Sequence, residues 1–194
     1  MPERNLYEKH ILDAALHTIA KHSISGTRMK LIAEEAGMTA SNLLYHFKNK
    51  RELLLALLHD LQDYFQQLRY SYVNRSEDSL ESKLAAFFEQ KKQLLLHEPE
   101  RDQVQFDFWV LGQSDPEINC LFRKTYTLWH QHIVDTILYY RPELEQTRAE
   151  MAAYNMVSTM MGGTMQYLSG EGVDLELYFQ DSLEMVLGWL NQEA

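Results

Sequence analysis

The sequence predicts an all-α protein: an N-terminal three-helix domain holding a helix-turn-helix, then a C-terminal helical domain, about nine helices in all. Three observations lead there. Prolines stand only at 2, 99, 116 and 142, so long stretches run without a helix breaker. In those stretches apolar residues recur three and four apart, the period of a helix with one buried face. No alternating apolar and polar run lies between hairpin turns, so strands are not expected.

A chain of 194 residues can bury a substantial core as one large or two small domains. No apolar run reaches the length of a membrane-spanning helix, which sets a membrane role aside. The first ten residues, MPERNLYEKH, lack an apolar signal segment. Cys120 is the single cysteine, which excludes an intrachain disulfide and a multi-cysteine zinc site. A reducing, cytoplasmic location is expected. The net charge is −10, yet it is uneven. Residues 1–51 hold eight Lys/Arg against five Asp/Glu, while the remainder holds ten against twenty-three. The basic excess sits at the amino end. It is small, and chance could produce it.

The first helix is expected over 6–22, with Leu12, Ala15, Leu16 and Ile19 as its apolar stripe. Thr27 suits an N-cap for the second helix, in which Ile32, Ala33 and Ala36 share a face. Gly37 ends that helix, because glycine takes a left-handed C′ position without steric cost. Thr39 restarts the chain as another N-cap. Leu43 and Phe47 lie four apart and face inward. Ala40, Ser41, Asn42, Tyr45 and His46 between and around them are small, polar or amphipathic. The result is a short helix with a buried back and a hydrogen-bonding front. Two such helices crossed at a glycine turn make a helix-turn-helix, whose second helix fits a DNA major groove.

The segment GTRMKLIAEEAGMTASNLLYHFKNKRELL resembles the DNA-binding signature of the TetR family of bacterial repressors. Ile-Ala, Ala-Gly, a hydroxyl cap and Tyr-His-Phe-Lys-x-Lys carry the likeness over about 45 N-terminal residues. It implies a DNA-binding domain over 1–50 and a ligand-binding and dimerisation domain over 51–194. Two positions depart from the family's commonest pattern. Ala40 stands where a basic residue is frequent, and Leu44 where an aromatic often precedes Tyr-His-Phe.

The expected DNA-binding residues are Thr27, Arg28, Lys30, Thr39, Ala40, Ser41, Asn42, Tyr45, His46 and Lys50. Phosphate contacts give affinity and base contacts give sequence choice. Thr27, Tyr45, His46 and Lys50 are assigned to phosphate. Lys30, Ala40, Ser41 and Asn42 are assigned to base edges: Lys30 to guanine, Asn42 to adenine, Ala40 to a thymine methyl. Tyr45 and His46 also fit the edge of a core, and Lys48 and Arg51 fit solvated surface as well as they fit contacts.

Asn49 with Glu52 reads as a variant capping box opening a fourth helix that runs to about 73, roughly 35–40 Å of rod. NRSEDS, 74–79, is a polar break. A fifth helix over 80–97 buries Leu84, Phe87, Phe88 and Leu95. Pro99 begins a sixth, ending at Gly112. Asp115-Pro116-Glu117 opens a seventh, to about 140, with an acidic cap and a first-turn proline. Pro142 precedes an eighth helix, 143–168, stopped by Gly170 and Gly172. Asp174 caps a ninth, 175–191.

Tyr154, Val157, Met161 and Met165 on the eighth helix, and Leu175, Phe179, Leu183, Val186 and Leu190 on the ninth, form long apolar stripes. Gly162 and Gly163 permit close helix approach. The resemblance implies a homodimer through a four-helix interface of these two helices; an intrachain core is the plain alternative. The segment 106–132 more weakly resembles the branch of the family holding the choline-responsive repressor. The family's small-molecule inducer sits among helices four to eight, which assigns Phe88, Phe106, Trp109, Tyr126, Trp129 and Met161 to a pocket. The same aromatics suit an ordinary core. Asp107 among them suits a cationic ligand.

No histidine has a glutamate three residues before it, and neither HExxH nor GxSxG occurs, so no catalytic, metal or cofactor site is expected. His130 and His132 are two apart and point to different helix faces. A helical adaptor that binds only protein is the remaining alternative. The expected partners are double-stranded DNA, an inducer and a second copy of the chain. The expected role is a ligand-responsive regulator, a repressor at a palindromic operator, nucleoid-associated when bound.

Overall fold

A computed structural model describes residues 6–192. Among them lie nine helices and no strand: α1 (Leu6–Gly26), α2 (Met29–Glu35), α3 (Ala40–His46), α4 (Lys50–Arg75), α5 (Leu80–His97), α6 (Pro99–Gly112), α7 (Pro116–Tyr140), α8 (Gln146–Ser169) and α9 (Leu175–Asn191). The chain forms two compact units. One comprises residues up to 64 together with 100–122; the other comprises 65–99 and the residues from 123 onward. The helices α4 and α7 contribute to both.

In the first unit Leu12, Ala15, Leu16 and Ile19 of α1 are buried, as are Ile32 and Ala33 of α2 and Leu43 and Phe47 at α3. The helix α1 is broken at Ser23, whose φ of 58° and ψ of 167° lie in a region costly to any residue but glycine. The turn that follows is closed by Thr27, whose backbone N–H and hydroxyl both donate to the Ser23 carbonyl, at 3.1 and 2.7 Å. Thr27 is therefore not the N-cap of α2. That position belongs to Arg28, whose side chain makes no capping bond.

The other caps form as their sequences suggest. Gly37 takes φ 65°, and the N–H groups of Gly37 and Met38 return to the carbonyls of Glu34 and Ala33. The Thr39 hydroxyl accepts the Asn42 N–H at 3.2 Å. Asn49 accepts the Glu52 N–H at 2.9 Å, while the Glu52 carboxylate accepts the Lys48 N–H at 3.0 Å. This capping box reaches one residue further back than the usual one. Asp115 accepts from Glu117 and Ile118, and Asp174 from Glu176 and Leu177. Pro142 does not start a helix. It sits in a turn closed by the Leu144 N–H on the Arg141 carbonyl, where its fixed φ is favoured, and α8 begins four residues later.

In the second unit α5, α8 and α9 enclose the core. Leu84, Phe87, Phe88 and Leu95 meet Trp129, Ile133 and Ile137 of α7 and Ala152, Met156, Met160, Phe179 and Leu190 of the last pair. A Cβ added at Gly163 would lie 2.7 Å from the Tyr178 ring, so the α8–α9 approach depends on glycine there.

Candidate nucleic-acid interface and ligand site

The turn between α2 and α3 presents the outer face of α3 to solvent. Leu43 is fully buried and Phe47 nearly so, which fixes the helix by its back. Thr39, Ala40, Ser41 and Asn42 are exposed, and Tyr45 is 84% exposed. The Tyr45 ring meets His46 edge-on at 5.4 Å, and His46 stacks on Tyr7 at 6.4 Å. Arg28 and Lys30 are exposed on α2 and its cap, Lys30 at 3.7 Å from Glu34. Seven of the ten expected contact residues are thus exposed on α2, α3 and their caps, and His46 is half-buried beside Tyr45.

The other two are placed differently. Thr27 is 2% exposed and its hydroxyl serves the Ser23 turn, so it braces the motif from inside. The Lys50 ammonium donates to the carbonyls of Ile24 and Thr27, at 2.5 and 2.6 Å. Partial burial lowers its pKa. Lys50 ties the start of α4 to the turn before α2, leaving at most part of its donor capacity for a phosphate.

The same turn is held from α6. Asp107 accepts the Ile24 N–H at 3.0 Å, and Gln103 donates to the Ala20 carbonyl at 3.0 Å. One Asp107 oxygen is thus engaged with the backbone. Arg51, at the start of α4, pairs with Asp115 and with Glu117 at the start of α7. Its hydrogen bonds hold the Asp115 carboxyl below the usual carboxylate range. These brace residues were missed in the sequence. They lie 64 to 83 positions from their partners, and no local pattern connects them.

The expected pocket residues divide between the units. Phe106 and Trp109 belong to the first, with Trp109 53% exposed. Phe88, Tyr126, Trp129 and Met161 belong to the second. Tyr126 and Trp129 lie together, ring centroids 5.9 Å apart. Phe88 instead packs on Phe179 of α9 at 5.5 Å. An open groove of about 650 Å³ at the end of α4 and the start of α5, lined by Tyr72, Arg75 and Glu89, holds none of the expected residues.

On the last two helices Val157, Phe179, Val186 and Leu190 are buried within the chain itself, because α9 also packs on α5. They fill the chain's own core rather than a free face. Tyr154 and Met165 are 52% and 61% exposed, and Met161 and Leu183 are half-buried. Met151, Leu177 and Met185 extend this exposed apolar surface.

Residues 11–57 match the family model described as bacterial regulatory proteins, tetR family. The chain is 45% identical over 56 residues to the HTH-type transcriptional regulator RutR of Escherichia coli, a match spanning 29% of the chain and 26% of RutR. It is 27% identical over 174 residues to the HTH-type transcriptional regulator BetI of Cronobacter sakazakii, spanning 87% and 83%. A Saccharomonospora viridis protein solved in complex with choline superposes with a TM-score of 0.81 at 21% identity, over 92% of this chain and 94% of that one. No described helix is long and apolar enough to cross a membrane. The likeness to the tetR family of bacterial regulatory proteins thus rests on residues 11–57, and over most of the chain the similarity is to a transcriptional regulator at 27% identity.

Proposed function

We propose that the protein is a ligand-responsive repressor that binds a palindromic operator as a homodimer and is released by a small-molecule inducer. The observation that carries this reading is the outer face of α3, polar and exposed with an aromatic held in water. Thr39, Ser41, Asn42, Tyr45 and His46, with Arg28 and Lys30 beside them, form the DNA contact set. Ala40 meets a thymine methyl, and Lys50 keeps α4 in register with the motif. Functionally, residues 1–50 read DNA and 51–194 sense ligand and dimerise. The protein works in the cytoplasm, on the nucleoid when bound.

The exposed Tyr154, Met165 and Met185, with half-buried Met161 and Leu183 on the same helices, support a second copy as the partner of α8 and α9. A symmetric pair sets two recognition helices about 34–36 Å apart on DNA. The braces from α6 to the turn before α2 support the transmission route. When inducer favours a state in which α6 shifts, Asp107 and Gln103 carry the shift to the reading motif. Inducer acts only through its differential affinity for the two states.

Selection of bound sequences from a random DNA pool, followed by a gel-shift salt titration, tests the reading. Expected are a near-palindrome and, for roughly six to ten neutralised phosphates, a loss of about 10³–10⁵-fold in affinity between 50 and 200 mM salt. A flat salt response, or no selected sequence, would count against it.

A further inference from the structure

The second unit buries a positive charge that nothing within it neutralises. Arg69 of α4 is 6% exposed. Its guanidinium carbon lies 4.9 Å from the centroid of the Trp129 ring on α7. No ion pair or hydrogen bond among the described residues involves that guanidinium, and the groups that act on its charge are Tyr70 and Tyr126 rather than a carboxylate. Removal from water pushes its pKa down to about 10. Trp129 is 5% exposed, and its indole N–H has no hydrogen-bond partner. The indole N–H is therefore a buried donor without an acceptor, beside a guanidinium that no carboxylate faces.

Their surroundings are aromatic, and no carboxylate acts on the Arg69 charge; the nearest one felt there is Asp135, which acts on His132. Tyr126 packs on Trp129. His132 lies 4.4 Å from the Tyr70 ring and 5.0 Å from that of Phe87. Burial and then the charge of Arg69 lower the His132 pKa, so the ring stays neutral near pH 7. Folds ordinarily pair a buried charge or leave it out, because an uncompensated one destabilises them. The face of Trp129 offsets part of that cost but supplies no acceptor.

We propose that Arg69 and Trp129 form an anion subsite whose ligand is a carboxylate with an apolar or aromatic body. The carboxylate oxygens accept from the guanidinium fork and from the indole N–H, a pairing that planar guanidinium geometry suits. The body lies against the surrounding rings. This rests on the second unit being the sensing half of the regulator. It gives the inducer a negative charge, where Asp107 among the aromatics had suggested a cation.

Octanoate and benzoate are the probes, with octanamide and benzamide as neutral twins. The full chain is titrated at pH 7, following tryptophan fluorescence and melting temperature. At least one acid should bind about tenfold or more tightly than its amide, the margin of a charge-assisted pair. In Arg69→Met that preference should vanish while the melting temperature holds or rises by about 2–4 °C, because the unpaired charge is gone. A merely structural arginine would instead give Arg69→Met a lower melting temperature and leave ligand preference unchanged. Acids and amides binding alike, or neither binding, overturns the subsite. Gel shifts with the selected operator on the same ligand-free samples separate the two readings. Failure to bind DNA counts against the regulator, whereas intact DNA binding without carboxylate preference removes the subsite alone.

Discussion

His132 shows how one side chain links burial to solution behaviour. Desolvation comes first, then repulsion from Arg69, partly offset by Asp135; together they hold its pKa below the ordinary 6.5. His130, whose ring nitrogen bonds the Tyr126 carbonyl at 2.7 Å, is lowered mainly by burial as well. A depressed pKa means that the unfolded chain takes up protons first. The contribution to stability is full above pH 6.5 and is lost as pH falls from there through the folded pKa. Melting temperature should hold between pH 8 and 7 and drop below 6.5. Both rings keep partial solvent access, so the drop is small. His132→Gln should flatten part of that slope; an unchanged slope in circular-dichroism melts would remove His132 from the explanation.

At the scale of single helices, α8 carries two adjacent glycines with different duties. Gly163 faces Tyr178 of α9 too closely for any Cβ, while a Cβ at Gly162 would sit at an ordinary 3.8 Å from the Tyr178 hydroxyl. Gly163→Ala should therefore cost about 1–3 kcal/mol, the usual penalty of overpacking, read in a denaturant melt. Gly162→Ala should leave the fold within about 0.5 kcal/mol of the parent. Equal effects of the two would contradict the packing described. The glycine pair was visible in the sequence, but the difference between its members was not, because it depends on where Tyr178 falls fifteen residues later. Starts and stops were largely legible, since Thr39, Asn49, Asp115, Asp174 and Gly37 act on their immediate neighbours. So was the exposed face of α3, which the inward spacing of Leu43 and Phe47 dictates. Thr27 and Lys50 were not. Both have the composition of phosphate ligands, and only the break at Ser23 turns them inward. Arg69 escaped notice because sequence spacing does not report which buried arginine lacks a partner.

Across the whole molecule, the unit that holds the reading motif is discontinuous in sequence. Val104, Phe108 and Ile118 belong to it and are almost wholly buried, beside the ties of Gln103, Asp107 and Asp115 to α1, the following turn and α4. An isolated 1–64 fragment lacks all of these. Exposure of that apolar surface should cost it several kcal/mol, on the order of 2–3 kcal/mol for each large side chain left unburied. The fragment should melt broadly and well below the full chain. A fragment that unfolds as sharply and as high as the intact protein would show that α6 and the start of α7 are dispensable to it.

This interleaving bears on how such regulators can be recombined. Joining residues 1–50 to the sensor of a relative cuts between Lys50 and Arg51, leaving behind Gln103 and Asp107, the partners of Ala20 and Ile24, on a stretch far downstream. A hybrid built at that seam inherits a reading head mounted on foreign supports. One that also transplants 100–122 keeps the native mounting, and the ribosome faces the same order of assembly: the motif emerges first and waits for its scaffold.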